Sequence, residues 1–319
     1  MNVKTLKDSP EKLNECVELI EQAFGYNDNY SYKEDFSPLF HEHNLQNCYF
    51  IEEEGLVTAT LLTLPKMLEY KDIKLPALFI GGIGVRDENR GAGLFRSLLE
   101  TVLLLNSHYA LYLLWSDLSQ LYEKFNFYEF GLIEENDLGE EKPQDLKEFP
   151  PEDLETVITS YQSLSSHTLV PHRTPEDWHD LFQSQSIDHM TDGKGHFYFL
   201  NKGMDLQGVC HERHPLNSPD LAGYSNWCYT PENAERVSRY MGFLRLGNLE
   251  ALSDFIEKTS NKRLFIVERN TEGLITVSFD GDYYDLSEKD FIQGIWGPGQ
   301  IEEWIGLIPP LVIFGHDSI

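Results

Sequence analysis

Residues 77–105, ALFIGGIGVRDENRGAGLFRSLLETVLLL, decide how this chain folds. Ala77, Leu78, Phe79 and Ile80, continued by Ile83 and Val85, make an apolar run long enough for a buried strand. Gly81, Gly82 and Gly84 interrupt it, which marks a bulge or a close approach to the backbone. The polar turn at 86–90 and Gly91-Ala92-Gly93 follow. Leu94, Leu98 and Val102 then recur at i+4, as do Phe95, Leu99 and Leu103, the stripe of a helix packed on a sheet. A glycine-rich turn at a helix start lets an anion lie on unpaired N–H groups at the positive end of the helix dipole. The same glycines also serve a tight turn with close helix–strand packing. No Lys-Ser or Lys-Thr follows them, and GxGxxG is absent, so neither a nucleotide P-loop nor a dinucleotide fingerprint is present.

Upstream, residues 2–7 are a short first strand. Pro10 opens a helix ended by Gly25, with Leu13, Cys16, Val17, Ile20, Ala23 and Phe24 as its buried positions. The aromatic-rich piece 26–40 takes a second short helix and a loop. Residues 47–53 and 56–69 form a hairpin about Glu54-Gly55. Downstream, 109–115 is an apolar strand, Asp117 with Gln120 opens a helix as a capping box, and 127–133 closes the sheet. The acidic, proline-bearing stretch 135–153 has no periodicity and reads as a linker. Beyond it, helices are expected at 151–164, around Trp178 and Leu181, at 231–244 and at 249–259. A hairpin joins 196–200 to 206–211, strands fall at 263–267 and 274–279, and 309–314 is a last strand.

The turn at 90–95 resembles the acetyl-CoA motif of the GCN5-related N-acetyltransferase (GNAT) superfamily, Arg/Gln-x-x-Gly-x-Gly/Ala at a helix start after an apolar strand. Arg90, Gly91, Ala92, Gly93, Leu94 and Phe95 occupy it, with Phe95 where a small residue is usual. Arg-x-x-Gly-Leu-large-Arg at 90–96 is similar to the multi-domain branch typified by the "enhanced intracellular survival" (Eis) aminoglycoside acetyltransferases. The resemblance is specific over residues 56–131. It implies an α+β chain: an N-terminal GNAT fold with a mixed, splayed sheet flanked by helices, then a degenerate GNAT-like α/β domain lacking the cofactor motif. The expected boundaries are 1–137 for the acetyl-CoA domain, 138–152 for the linker and 153–319 for the second domain.

The resemblance also implies roles. Acetyl-CoA would be the co-substrate, with Arg90 and the amides of Gly91, Ala92, Gly93, Leu94 and Phe95 on its pyrophosphate. The backbone of Ile83, Gly84 and Val85 would polarise the thioester and pair with the pantetheine arm. LYEKFNF (121–127) is similar to the family's Tyr-x-x-x-Gly-Phe, with Asn126 replacing glycine, which makes Tyr122 the general acid. Leu118, Leu121, Tyr122 and Phe125 also form a helical face, so a core position is the alternative for Tyr122, with the motif upstream favouring the catalytic role. For the general base there remain Glu52, Glu53, Asp117 and, as in Eis-like enzymes, the carboxylate of a chain end, here at Ile319.

Composition bounds the partners. With 319 residues, 41% of them hydrophobic, the chain can bury a substantial core over two domains. A formal net charge of −28 argues against nucleic acid and anionic membranes and suits a cationic substrate, though plain solubility explains it too. No membrane span or signal peptide is expected. Cys16, Cys48, Cys210 and Cys228 lack metal spacing and are expected as free thiols in the cytoplasm. His41-Glu42-His43 and His211-x-x-His214 are close pairs with no third ligand at a recognisable spacing, so no metal is expected. No Gly-x-Ser-x-Gly elbow is present. The expectation is a cytoplasmic acetyl-CoA-dependent N-acetyltransferase acting on a primary amine of a small, cationic acceptor. The alternative is a non-catalytic acyl-CoA-binding or regulatory protein. The acceptor's identity, the acyl length and homo-oligomerisation stay open.

Overall fold

The computed structural model describes residues 2–142, 144–204, 206–229 and 237–319. The chain opens with β1 (Val3–Thr5), α1 (Leu13–Phe24) and α2 (Tyr32–Asp35), then the strands β2 (Cys48–Glu53), β3 (Leu56–Tyr70) and β4 (Ile73–Val85). Next come α3 (Leu94–Leu105), β5 (Leu111–Leu114), α4 (Ser119–Tyr122), β6 (Tyr128–Phe130) and β7 (Ile133–Asp137). After β8 (Lys147–Glu148) follow α5 (Leu154–Leu164), β9 (Val170–Pro171), α6 (Pro175–Gln183), β10 (Asp188–Thr191), β11 (Phe197–Leu200) and β12 (Val209–His214). The described chain is completed by β13 (Ser225–Cys228), β14 (Val237–Arg239), β15 (Gly242–Leu246), α7 (Leu249–Thr259), β16 (Leu264–Arg269), β17 (Ile275–Phe279), β18 (Asp282–Leu286) and α8 (Glu288–Trp296).

The first sheet runs β1-β2-β3-β4-β5-β15-β6, with β9 added to the far end of β3. Its pairings are antiparallel except β4–β5, which is parallel and matches Ala77 to Leu111 through Ile80 to Leu114. Leu94, Leu98, Leu99 and Val102 of α3 are buried against one face of this sheet with Ile80, Tyr112 and Leu114. On α1, Cys16, Val17, Leu19 and Ile20 are buried, and Gly25 ends the helix in the left-handed region at φ 71. Ala23 and Phe24, expected inside, are exposed. The Phe24 ring instead stacks on Tyr32 at 5.8 Å.

A second sheet, β14-β7-β13-β12-β11-β10-β8, and a third, β16-β17-β18, lie beyond the first. The strands do not sort by chain half. β15 comes from the later half yet sits between β5 and β6, pairing Phe243 with Leu114 and Gly242 with Phe130. β7 ends the earlier half yet belongs to the second sheet.

Three further sequence expectations are corrected. The helix at 231–244 lies outside the described residues up to 236, and beyond that the chain is extended as β14 and β15. The sheet therefore closes on β6 only through β15. The start of α4 carries no capping box: Leu118 is its N-cap, and its N–H donates to Ser116 Oγ at 3.1 Å. The tail 311–314 is buried but forms no strand; it makes one bridge, Leu169 to Leu311. Leu169 N–H donates to Pro310 O and Val312 N–H to Leu169 O, both at 2.9 Å, before a 3-10 turn at Gly315–Asp317.

Candidate active site

The parallel pair β4–β5 lasts four residues and then parts. β5 stops at Leu114 while β4 continues to Val85, so residues 81–85 have no strand on that side. The peptide groups facing the gap lack a sheet partner and are free to bind a ligand's amides and carbonyls. On its other side β4 carries a bulge, where the register to β3 slips between Thr60 and Leu62. Gly82 takes the positive φ (53) that the bulge requires, and Thr60 Oγ1 donates to its carbonyl at 3.0 Å. A Cβ on Gly84 would lie 3.3 Å from Leu19 of α1. A Cβ on Gly81 would lie 2.6 Å from the carboxyl carbon of Ile319. Each glycine thus answers to its own constraint.

The gap opens into a cavity of about 690 Å³. Ile80, Gly81 and Ile83 line one side and Leu114, Trp115, Ser116, Asp117 and Tyr122 the other. Phe24, Tyr26, Tyr32 and Phe36 form an aromatic wall, and Lys202, Ser318 and Ile319 close the floor.

Beyond β4, α3 begins without a side-chain cap on Gly93, and Gly91 and Gly93 both hold φ 81 with open space where a Cβ would be. The first helical bond is Ser97 N–H to Gly93 O. The amides of Leu94, Phe95 and Arg96 therefore have no intrahelical acceptor, the condition for an anion site. Arg90 is exposed, 2.9 Å from Asp87. The Phe95 ring packs edge-on to Tyr122 at 5.9 Å and to Phe125 at 5.3 Å. Asn126 holds φ 60, the left-handed conformation a glycine would supply there and one asparagine tolerates.

Tyr122 is 5% exposed, yet it borders the cavity. Burial, with a smaller push from Asp117, raises its phenol to about 12 against an opposing bond from Ser116, so it stays protonated at neutral pH. Among the carboxylates weighed as base, Asp117 lines the cavity. Glu52 is engaged by Lys4 and Lys12, chiefly Lys4, which holds its carboxyl low. Glu53 faces Asn89. Burial pushes the thiols of Cys16, Cys48 and Cys210 up to about 12, too high for nucleophiles.

The tail is held in place by a buried ionic cluster. Arg173 grips Glu212 through Nη1 (2.8 Å) and Nη2 (2.6 Å), and Asp317 through Nε and Nη2 (both 2.9 Å). Its guanidinium lies 4.0 Å from the centre of the Tyr161 ring. His214 adds a 2.7 Å contact to Glu212. Lys202 donates to the carbonyls of Gly315 (3.0 Å), His316 (3.2 Å) and Ser318. Burial lowers Lys202 to about 7 against the pull of Asp317 and Asp35. None of these residues belongs to a local motif, since Arg173 and Asp317 stand 144 positions apart. A second pocket shares Phe36, Lys202, Ser318 and Ile319 with the cavity and adds Asp35, Lys66, Asp177 and Asp180.

Residues 2–131 match the family model of the acetyltransferase (GNAT) domain. This part of the chain is a GNAT domain. Solved structures extend the likeness in fold. A GCN5-related N-acetyltransferase from Kribbella flavida superposes with a TM-score of 0.58 at 12% identity, over 90% of this chain and 83% of that one. Eis1 from Mycobacterium abscessus gives 0.55 at 12% identity over 93% and 91%. A probable N-acyltransferase from Enterococcus faecalis gives 0.56 at 14% identity over 90% and 85%. No curated protein sequence matches. Among the described residues no helix is long and apolar enough to cross a membrane.

Removing the charge of Arg173 tests what seats the tail against the GNAT domain. Arg173→Met leaves Glu212 and Asp317 buried without the guanidinium that bridges them, so urea unfolding should show a loss of about 3–5 kcal/mol. A loss below about 1 kcal/mol, as for a surface pair, would show that the cluster does not carry the tail.

Proposed function

We propose that the chain is an acetyl-CoA-dependent N-acetyltransferase whose acceptor is a small, cationic primary amine. One observation supports this most: the gap beside β4 opens on a cavity that Tyr122 and Ile319 both border, and the chain leaving β4 runs on to the uncapped start of α3. The amides from Gly91 to Phe95, with Arg90, take the pyrophosphate. The unpaired backbone at Ile83, Gly84 and Val85 takes the pantetheine arm and polarises the carbonyl. Acetyl-CoA supplies an acetyl group activated as a thioester.

The acceptor enters from the pocket on the far side of the tail. Asp35 and Asp180 line it, and burial raises both carboxyls above the usual range. The net charge of −28 favours cations in general. The acceptor nitrogen attacks the thioester carbon and its proton passes to a carboxylate. In a chain ending at Ile319 the terminal carboxylate lies nearest β4, with Asp117 as the second choice. As the carbon–sulfur bond breaks, Tyr122 gives its proton to the sulfur. A thiolate leaving beside the same buried phenol gains basicity through the desolvation that raises the phenol.

In this reading residues 1–137 hold the co-substrate, 138–152 connect, and 153–319 shape the acceptor side and seat the tail. The buried free cysteines suit a reducing cytoplasm. The alternative, an acyl-CoA-binding protein without turnover, drew on Phe95 and Asn126. The Phe95 ring packs on Tyr122 and Phe125 and Asn126 adopts the glycine conformation, which supports the enzymatic reading.

Three measurements test it. Gly93→Glu sets a like charge on the pyrophosphate amides, and calorimetry should show acetyl-CoA binding weakened about tenfold or more. Unchanged affinity in a folded variant places the site elsewhere. Tyr122→Phe should keep that affinity while thiol release with an amine panel falls about 10²-fold or more; an unaltered rate returns Tyr122 to a packing role. Adding one glycine after Ile319 moves the terminal charge without removing the tail. Turnover should drop while acetyl-CoA affinity holds, and a wild-type rate would assign the base to Asp117.

A further inference from the structure

The sequence offers His41 and His43 no third partner, but the fold does. His41 is the N-cap of a 3-10 segment at Glu42–Asn47, and His43 lies within it. Glu176 sits on the first turn of α6, whose start is fixed by Pro175 and a capping box between Thr174 and Asp177. The ligand atoms of the three side chains all lie within 4.8 Å of one another. Both histidines direct Nδ1 at the same carboxylate oxygen, Glu176 Oε1, at 3.3 Å from His41 and 3.8 Å from His43. Their rings meet edge to face, centroids 5.5 Å apart.

We propose that His41, His43 and Glu176 form a binding site for a divalent transition-metal ion, with zinc the ion that the donor set fits best. Bonds of about 2.0–2.1 Å in a tetrahedron separate neighbouring donors by about 3.3–3.4 Å. The His41–Glu176 separation already equals that edge, and the His43–Glu176 separation needs only a small rotation of an exposed ring. Two imidazoles and one carboxylate select zinc, copper or nickel over calcium and magnesium, which prefer oxygen donors. The other nitrogen of His41, Nε2, faces Asp180 Oδ1 at 3.4 Å. A carboxylate behind a ligating imidazole fixes its tautomer and strengthens it as a donor. Asp177 is no competing ligand, because it is tied to Lys66 and Thr174. Three protein ligands leave the fourth position to water or to a donor arriving through the surrounding cleft, which Met67 and His172 also line.

The competing account is that Glu176 merely pairs with two protonated histidines. The full-length chain, stripped of metal, is titrated with Zn2+ by calorimetry in millimolar Mg2+, which occupies unselective carboxylate sites on so acidic a surface. Co2+ is added in parallel and its visible absorption recorded. One ion per chain is expected, at micromolar affinity or better, with the intense band of a four-coordinate cobalt site. His43→Ala and Glu176→Gln should each abolish the band. Asp180→Asn should weaken binding about 10–100-fold. His43 and Glu176 are exposed, so these variants should fold, and circular dichroism checks it. Zn2+ should also raise the melting temperature of the wild type but not of His43→Ala. If the wild type binds no more tightly than His43→Ala, or Mg2+ displaces the ion, the three residues form an ion pair only and the proposal fails.

Discussion

The parting of β4 and β5 after four paired residues is the constraint on which the rest of the molecule depends. Strand pairing satisfies main-chain N–H and C=O groups wherever it continues, so ending it inside a folded chain leaves polar backbone that something else must meet. Here β5 stops at Leu114 and turns into Trp115, Ser116 and Asp117, while β4 runs on to Val85. The opposite edge of β5 would also be exposed, and β15 covers it with four residue pairs. An open seam on one side and a borrowed strand on the other belong to one solution. The sheet stays continuous through β15 to β6 while the gap between β4 and β5 stays open.

Keeping the tail beside that seam requires charge in an apolar place. Burying Arg173, Glu212 and Asp317 costs desolvation that their mutual attraction does not reliably exceed. The gain lies in geometry. A planar guanidinium whose N–H groups point at two carboxylates admits one arrangement of β12, the start of α6 and the 3-10 turn before Ile319. Lys202 then matches the donors of one ammonium to three carbonyls of the same turn. Leucines in these positions would bury as well, but they would tolerate several registers of the tail.

What could be read from the sequence was local. The strand through 77–85, its glycines, the turn at 90–93 and the stripe of α3 follow from periodicity and turn chemistry within about thirty residues. The hairpin of β2 and β3 follows likewise from Glu54-Gly55. What could not be read depends on distance along the chain. Residues 242–246 carry apolar side chains at 243, 244 and 246, a pattern that fits a buried strand and a helix alike until β5 and β6 flank it. Residues 311–314 are as apolar as a strand, yet they are buried and gain only one bridge, to Leu169 just before β9, because β9 itself is paired with β3. The candidate site divides the same way. Gly93 and Tyr122 sit in recognisable local patterns. Arg173, Lys202, Glu212 and Asp317 acquire meaning only when four separate segments converge.

The same convergence gives α6 two tasks on adjoining faces. Its capping box sets where the helix begins, and with it the positions of Glu176, Asp177 and Asp180. Asp177 and Asp180 line the pocket beyond the tail, while Glu176 and Asp180 face His41 and His43. Asp180 belongs to both sets. A bound cation at the histidines would hold that carboxylate in its charged form and draw it toward His41. An amine arriving in the pocket would compete for the same oxygen atoms. The proposed metal site and the proposed acceptor pocket would therefore be coupled through one side chain, each occupant weakening the hold of the other on Asp180. By linkage the effect must be equal in both directions.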